Sequence, residues 1–73
     1  MKLLKLFFYR WGMNYNFESA IRKFEQDKNN PIIIRHVEAC HFYATKILKL
    51  SPNDKEANKR YTWSLEVLSK KYL

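Results

Sequence analysis

Glycine, proline and cysteine are scarce in this chain of 73 residues, which contains one Gly, two Pro and one Cys. Because Cys40 has no second cysteine to pair with, no internal disulfide can form, and this usage favours a reducing compartment, the cytoplasm. Loops that cradle phosphate groups need several glycines, so a nucleotide-hydrolysing site is not expected. The sequence predicts no cofactor and no enzymatic activity.

Acidic residues are absent before Glu18, although Lys2, Lys5 and Arg10 precede it. The whole chain carries 14 basic and 7 acidic residues, a net charge of +7. Such a charge influences association rather than fold, and it suits an acidic protein, a nucleic acid or an anionic membrane. The length predicts one domain over residues 1–73, small enough to depend on helix packing, self-association or a partner.

No apolar run approaches the length of about 20 residues that a membrane-spanning helix needs. The longest apolar stretch opens the chain, and Lys5 interrupts it where a secretory signal would be continuous. On a helix its large residues form one stripe, which consists of Leu3, Leu4, Phe7, Phe8 and Trp11. We expect Leu3, Phe7 and Phe8 to cap the core. Insertion into a membrane interface or docking on a partner helix is the alternative.

Helix stop and start signals divide the first third of the chain. Gly12 follows the apolar stripe, and glycine in that position is typical of a helix end. Asn16 is a candidate N-cap for the next helix, whose first turn contains Glu18. These signals predict helices over about 2–11 and 17–27.

Two further breaks contain proline. Asn30 followed by Pro31 predicts a helix over about 31–50, with an apolar stripe of Ile33, Val37, Cys40, Ala44, Ile47 and Leu48. Ser51 as cap, with Pro52 behind it and Asp54 in the third position, predicts a last helix over about 52–70. The fold class is therefore all-α, a small bundle or stacked hairpin of three to four helices.

The segment over residues 38–68 resembles part of a tetratricopeptide repeat. The likeness lies in the corner between two helices, where Pro52 matches the consensus proline, Leu48 the leucine before it and Ala57 the alanine just inside the next helix. It covers less than half of the chain. The resemblance implies a helical hairpin that binds proteins, because the family presents grooves to peptides or helices.

Only His36, Cys40 and His41 are obvious candidates for metal ligation or nucleophilic catalysis. His36 and Cys40 lie four residues apart and share a helical face, whereas His41 points about 100° away. Two ligands do not complete a zinc site, and no third group is indicated. We predict no metal site and no catalytic residues.

The best-supported function is a non-enzymatic protein-interaction module, a small accessory, regulatory or inhibitory subunit. Aromatic residues favour contact surfaces, and the candidate anchors are Phe8, Trp11, Tyr61 and Trp63. Basic residues steer association with acidic surfaces, and the candidates are Lys55, Lys59 and Arg60. A homo-oligomer is possible. The alternatives are a small basic nucleic-acid-binding protein and, less favoured, a peripheral membrane protein anchored by its N-terminal helix.

Overall fold

A computed structural model describes residues 2–72 as three α-helices, α1 (Lys2–Gln26), α2 (Ile32–Leu50) and α3 (Lys55–Tyr72). The all-α class and the lower count of three helices are confirmed. Met1 and Leu73, included in the predicted domain over 1–73, lie outside the described residues.

α1 is a single helix of 25 residues, so the predicted stop at Gly12 is wrong. Gly12 does not adopt a positive φ. It is buried at the point where α1 meets Tyr43 of α2. The glycine serves close approach between two helices, and it leaves the helix backbone uninterrupted. The predicted N-cap Asn16 also lies inside α1, where its Nδ2 donates to the Gly12 carbonyl at 2.7 Å.

The start of α2 agrees with the prediction to within one residue. Asn30 Oδ1 accepts a hydrogen bond from the Ile32 backbone N–H at 3.0 Å, and Pro31 has φ −65°. The amide side chain thus satisfies one of the free N–H groups of the first turn. Proline fits beside it because its fixed φ is already helical.

α3 begins at Lys55 instead of Pro52, and its cap is Asp54 instead of Ser51. Asp54 Oδ1 accepts from the Ala57 N–H at 2.9 Å, the usual capping geometry. Ser51 is instead the C-cap of the preceding helix, and its N–H donates to the Ile47 carbonyl at 2.7 Å. Its backbone is extended, with φ −145° and ψ 82°, and therefore the new helix starts only after the following turn.

α2 lies between the other two helices and contributes most of the core. Its fully buried residues are Val37, Cys40, Ala44 and Ile47, four members of the predicted stripe. Met13 of α1 and Ala57 of α3 join Cys40, Ala44 and Ile47 in one buried cluster. Because Cys40 and Ala44 are small, both neighbouring helices approach α2 closely. The chains of α1 and α2 run antiparallel, so the N-terminal half of α1 lies beside the C-terminal half of α2.

Candidate functional site

The N-terminal half of α1 has two apolar faces, of which only one is buried. The inner face packs on the core through Leu6, Tyr9, Met13 and Phe17. The outer face, here called the docking face, consists of Leu3, Leu4, Phe7, Phe8, Trp11 and Tyr15. Leu3 is 82% exposed and Phe7 73% exposed. The expectation that Leu3, Phe7 and Phe8 cap the core is therefore wrong.

The inner face is buried because its apolar character extends far along α1, beyond the point where the docking face ends. It reaches Ala20, which is 1% exposed, and so provides about four turns of contact with α2 and α3. The docking face ends at Tyr15, and Glu18, Arg22 and Glu25 occupy the next positions in line. Only the inner face can therefore be covered over most of α1 without burying charge. The abrupt change from apolar to charged residues at Glu18 is the sequence signal that identifies the docking face.

Aromatic contacts order the docking face. The ring centroids of Phe8 and Trp11 lie 6.4 Å apart. Trp11 and Tyr15 stack at 5.5 Å with an interplanar angle of 15°. Tyr15 also meets His36 of α2 edge-on at 6.4 Å. These contacts restrict the positions of the rings on the helix surface.

An ion-pair cluster joins α1 to the corner between α2 and α3. The Arg10 guanidinium donates to both carboxylate oxygens of Asp54 and, at 2.8 Å, to Glu56 Oε1. The hydrogen bonds from Arg10, followed by that from the Ala57 backbone, lower the pKa of Asp54. Hydrogen bonds from Arg10 to the two carboxylates raise its own pKa. Asp54 therefore caps α3 and anchors α1 at the same time.

Positive charge is concentrated at this end of the molecule. The exposed basic side chains are Lys5 on α1, Lys49 on α2, and Lys55 and Lys59 on α3. The acidic residues of the same region, Asp54 and Glu56, are both paired with Arg10. The predicted steering residues Lys55 and Lys59 are therefore exposed at the same end of the molecule as the docking face, where the described carboxylates are paired with Arg10.

Arg60, the third predicted steering residue, is packed into the body of the protein. Its guanidinium carbon lies 3.8 Å from the centre of the Phe17 ring. Its Nε is buried, with no hydrogen-bond partner among the described residues. A guanidinium held over an aromatic ring in this way contributes to packing. Arg60 therefore links α3 to α1, and it is not presented to solvent as Lys55 and Lys59 are.

Tyr61, a predicted anchor, is half-buried in contacts within the chain. Its ring stacks on His41 with centroids 4.7 Å apart. His41 Nδ1 lies 2.9 Å from Ser64 Oγ, and that hydroxyl donates to the Tyr61 carbonyl at 3.0 Å. Because the Ser64 hydrogen is used in this way, His41 Nδ1 is the donor of their bond. The structure does not bring Tyr61 to the docking face.

Trp63, the other predicted anchor on α3, meets the edge of Phe17 at a centroid distance of 4.9 Å. It is half-buried and lines an open apolar hollow of about 260 Å³ between α1 and α3. The other lining residues are Ala20, Ile21, Phe24 and Val67. Of the four predicted anchors, the structure places Phe8 and Trp11 together on the docking face and leaves Trp63 at this separate hollow.

The candidate metal ligands are engaged in contacts within the fold. His36 Nδ1 lies 2.9 Å from Asn16 Oδ1 and donates to it. Burial, followed by the charge of Lys23, lowers the pKa of His36. Cys40 is fully buried, and burial raises the pKa of its thiol to about 11. Over residues 2–72, no three His, Cys, Asp or Glu side chains come together as a metal site would require.

Comparison with protein-family models, with curated proteins and with solved structures finds no match to this chain. Over residues 2–72, none of the helices combines the length and the apolar character needed to cross a membrane.

Proposed function

We propose that this chain is a non-enzymatic protein-interaction module, a small accessory or regulatory subunit that binds through the docking face. The observation that carries the proposal is the exposure of six large apolar side chains on one rigid helix, with no charged residue among them. A helix that is apolar on both sides is normally covered on both sides. Contiguous exposed apolar patches of this kind mark interaction sites.

The composition of the docking face suits a protein partner. Trp and Tyr are among the residues enriched in energetic hot spots, and Trp11 and Tyr15 stack on each other towards the C-terminal end of the face. The complementary surface would be apolar at its centre. Carboxylates at its rim would be attracted by the exposed Lys5, Lys55 and Lys59. The resemblance of residues 38–68 to a tetratricopeptide-repeat hairpin supports the same class of function, and the single unpaired Cys40 supports a cytoplasmic location.

The test is affinity capture with matched variants. Trp11→Asp places a charge in the docking face, whereas Leu65→Asp places the same charge at another exposed apolar residue, on α3. We expect a dominant polypeptide to be retained by the wild type and by Leu65→Asp, and lost with Trp11→Asp. Equal retention by all three would show that the docking face is not the interaction site.

Peripheral membrane association is the second candidate, favoured by Lys5 beside an aromatic face near the N-terminus. However, α1 is one continuous helix, and Glu18 and Glu25 continue the line of the docking face. A helix lying flat on an anionic bilayer would press these carboxylates against lipid headgroups. Cosedimentation with vesicles containing phosphatidylserine distinguishes the candidates. A protein-binding module remains in the supernatant, whereas a membrane protein pellets with the vesicles.

A further inference from the structure

The apolar residues along the middle of the docking face have the spacing of a helix–helix seam. Leu4, Phe8, Trp11 and Tyr15 follow one another at intervals of four, three and four residues, the spacing of the a and d positions in coiled coils. At a rise of 1.5 Å per residue, the seam is about 16 Å long. The same series continues with Glu18, Arg22 and Glu25, so the apolar part stops at a defined point.

We infer that a second copy of this chain occupies the docking face, with the two α1 helices antiparallel and overlapping over residues 4–15. This inference rests on the proposed function for the use of the docking face, and it names a basic second copy in place of an acidic partner. A two-fold axis between residues 9 and 10 pairs Leu4 of each copy with Tyr15 of the other, and Phe8 with Trp11. Such an isologous contact buries the same patch on both chains and closes the assembly at a dimer.

The charged residues decide the orientation. A parallel pair would place Glu18 against Glu18 and Arg22 against Arg22 of the other copy, and like charges in a seam are repulsive. In the antiparallel pair, Glu18 lies beside the N-terminal turns of the other copy, where Lys5 is exposed and acidic residues are absent. The remaining charged positions, Arg22 and Glu25, lie outside the overlap over residues 4–15.

The exposed area matches what a dimer needs. Aromatic side chains each carry about 150–250 Å², so the exposed parts of the four aromatic residues and two leucines amount to roughly 700–800 Å² per chain. Standard interfaces bury about 800 Å² on each partner. In addition, a domain of this size gains stability from oligomerisation, since no disulfide staples it.

The net charge of +7 on each copy gives the dimer a characteristic salt dependence. The two chains repel each other through solvent, and salt screens that repulsion beyond a Debye length of about 8–10 Å. Dimerisation therefore strengthens as salt is raised. Binding to an acidic protein, a nucleic acid or an anionic bilayer weakens under the same conditions, because salt there screens an attraction.

The experiment is sedimentation equilibrium of the full chain over micromolar to submillimolar concentrations, at low and high salt. We expect a reversible monomer–dimer equilibrium for the wild type and for Leu65→Asp. Trp11→Asp should weaken dimerisation by at least about a hundredfold, because the two-fold axis makes the substitution remove a hot spot from both chains. Circular dichroism checks that Trp11→Asp remains helical, which is expected because Trp11 is 62% exposed.

The orientation is measured with a spin label on an Arg22→Cys variant, since buried Cys40 is protected from labelling. The antiparallel pair separates the two labelled positions by about 37 Å along the helix axis. A parallel pair brings them to about 10 Å, the usual interaxial distance. A short distance would overturn the antiparallel arrangement.

Two other results separate this inference from the proposed function. A wild type that stays monomeric at every concentration and salt overturns the dimer. If Trp11→Asp nevertheless abolishes capture of a polypeptide, the docking face binds a different protein and the proposed function stands. If Trp11→Asp changes neither the mass nor the capture, both the dimer and the proposed function fail.

Discussion

Gly12 of α1 lies against the ring of Tyr43 on α2, so closely that a Cβ atom at residue 12 would be 2.7 Å from Tyr43 Cε2. The Tyr43 ring has little room to retreat, because Tyr9 packs on it at 6.3 Å and Phe42 meets it edge-on at 5.3 Å. The absence of a side chain at Gly12 therefore sets the distance between α1 and α2.

We expect Gly12→Ala to lower the free energy of unfolding by about 1 kcal/mol, because overpacking costs about 1–3 kcal/mol and the better helix propensity of alanine returns at most about 1 kcal/mol. In a Tyr43→Ala background the ring is absent, and the same change should become stabilising. Urea denaturation of the wild type, the two single variants and the double variant measures both effects. If Gly12→Ala still lowered the free energy of unfolding in the Tyr43→Ala background, contact with the Tyr43 ring would not be the cause of the destabilisation.

Arg10 should stabilise the junction of α1 with the α2–α3 corner. Arg10→Ala removes its bonds to Asp54 and Glu56, and we expect the free energy of unfolding to fall by about 1 kcal/mol, a modest value because the pairs are partly exposed. Lys59→Ala, an exposed basic residue with no such pair, is the control and should change stability by less than about 0.5 kcal/mol. Equal effects of the two variants in chemical denaturation would contradict a specific role for Arg10.

The acid stability of the protein should depend on Asp54. Arg10 lowers the pKa of this carboxyl in the folded state, so its stabilising contribution is complete above the unfolded pKa of about 3.9. It is lost as the pH falls through the lower, folded pKa. Asp54→Asn retains a capping side chain but has no charge to titrate. Denaturation at a series of pH values should therefore show a shallower loss of stability below pH 4 for Asp54→Asn.

Arg60 should contribute to stability more than to electrostatic steering. Arg60→Ala removes the guanidinium from the Phe17 ring and leaves a gap, for an expected loss of about 1–2 kcal/mol. Arg60→Met keeps the apolar stem and removes the buried, unpartnered Nε, so we expect it to lose less than Arg60→Ala. Thermal denaturation ranks the two variants. If both variants were as stable as the wild type, the contact between Arg60 and the Phe17 ring would make no contribution to stability.

Cys40 should react only when the protein opens. It is 0% exposed, and a pKa of about 11 leaves very little thiolate at neutral pH. Alkylation by iodoacetamide at pH 8, followed by mass spectrometry, should be negligible under native conditions and complete in urea. Rapid modification of the folded protein would place Cys40 at the surface.

Much of the helical architecture could be predicted from local chemistry. Capping rules predict the start of α2 at Asn30–Pro31. Helical periodicity predicts the buried stripe from Val37 to Ile47. Both act within a few residues. The start of α3 was misplaced because Ser51 and Asp54 are both good caps in sequence. Only the backbone bond from Ser51 to Ile47, made as α2 ends, assigns the cap to Asp54.

The sequence by itself determined that the chain is all-α, basic and devoid of an internal disulfide, because composition and helical periodicity are local properties. The tertiary structure decided the rest. Gly12 is as compatible with a helix end as with a helix contact until Tyr43 is placed against it. The N-terminal half of α1 offers two apolar faces of similar character, and only the packing of α2 and α3 along its whole length selects the inner one. The six residues of the docking face are left on the outside for that reason, since a helix cannot bury opposite faces in a core that lies on one side.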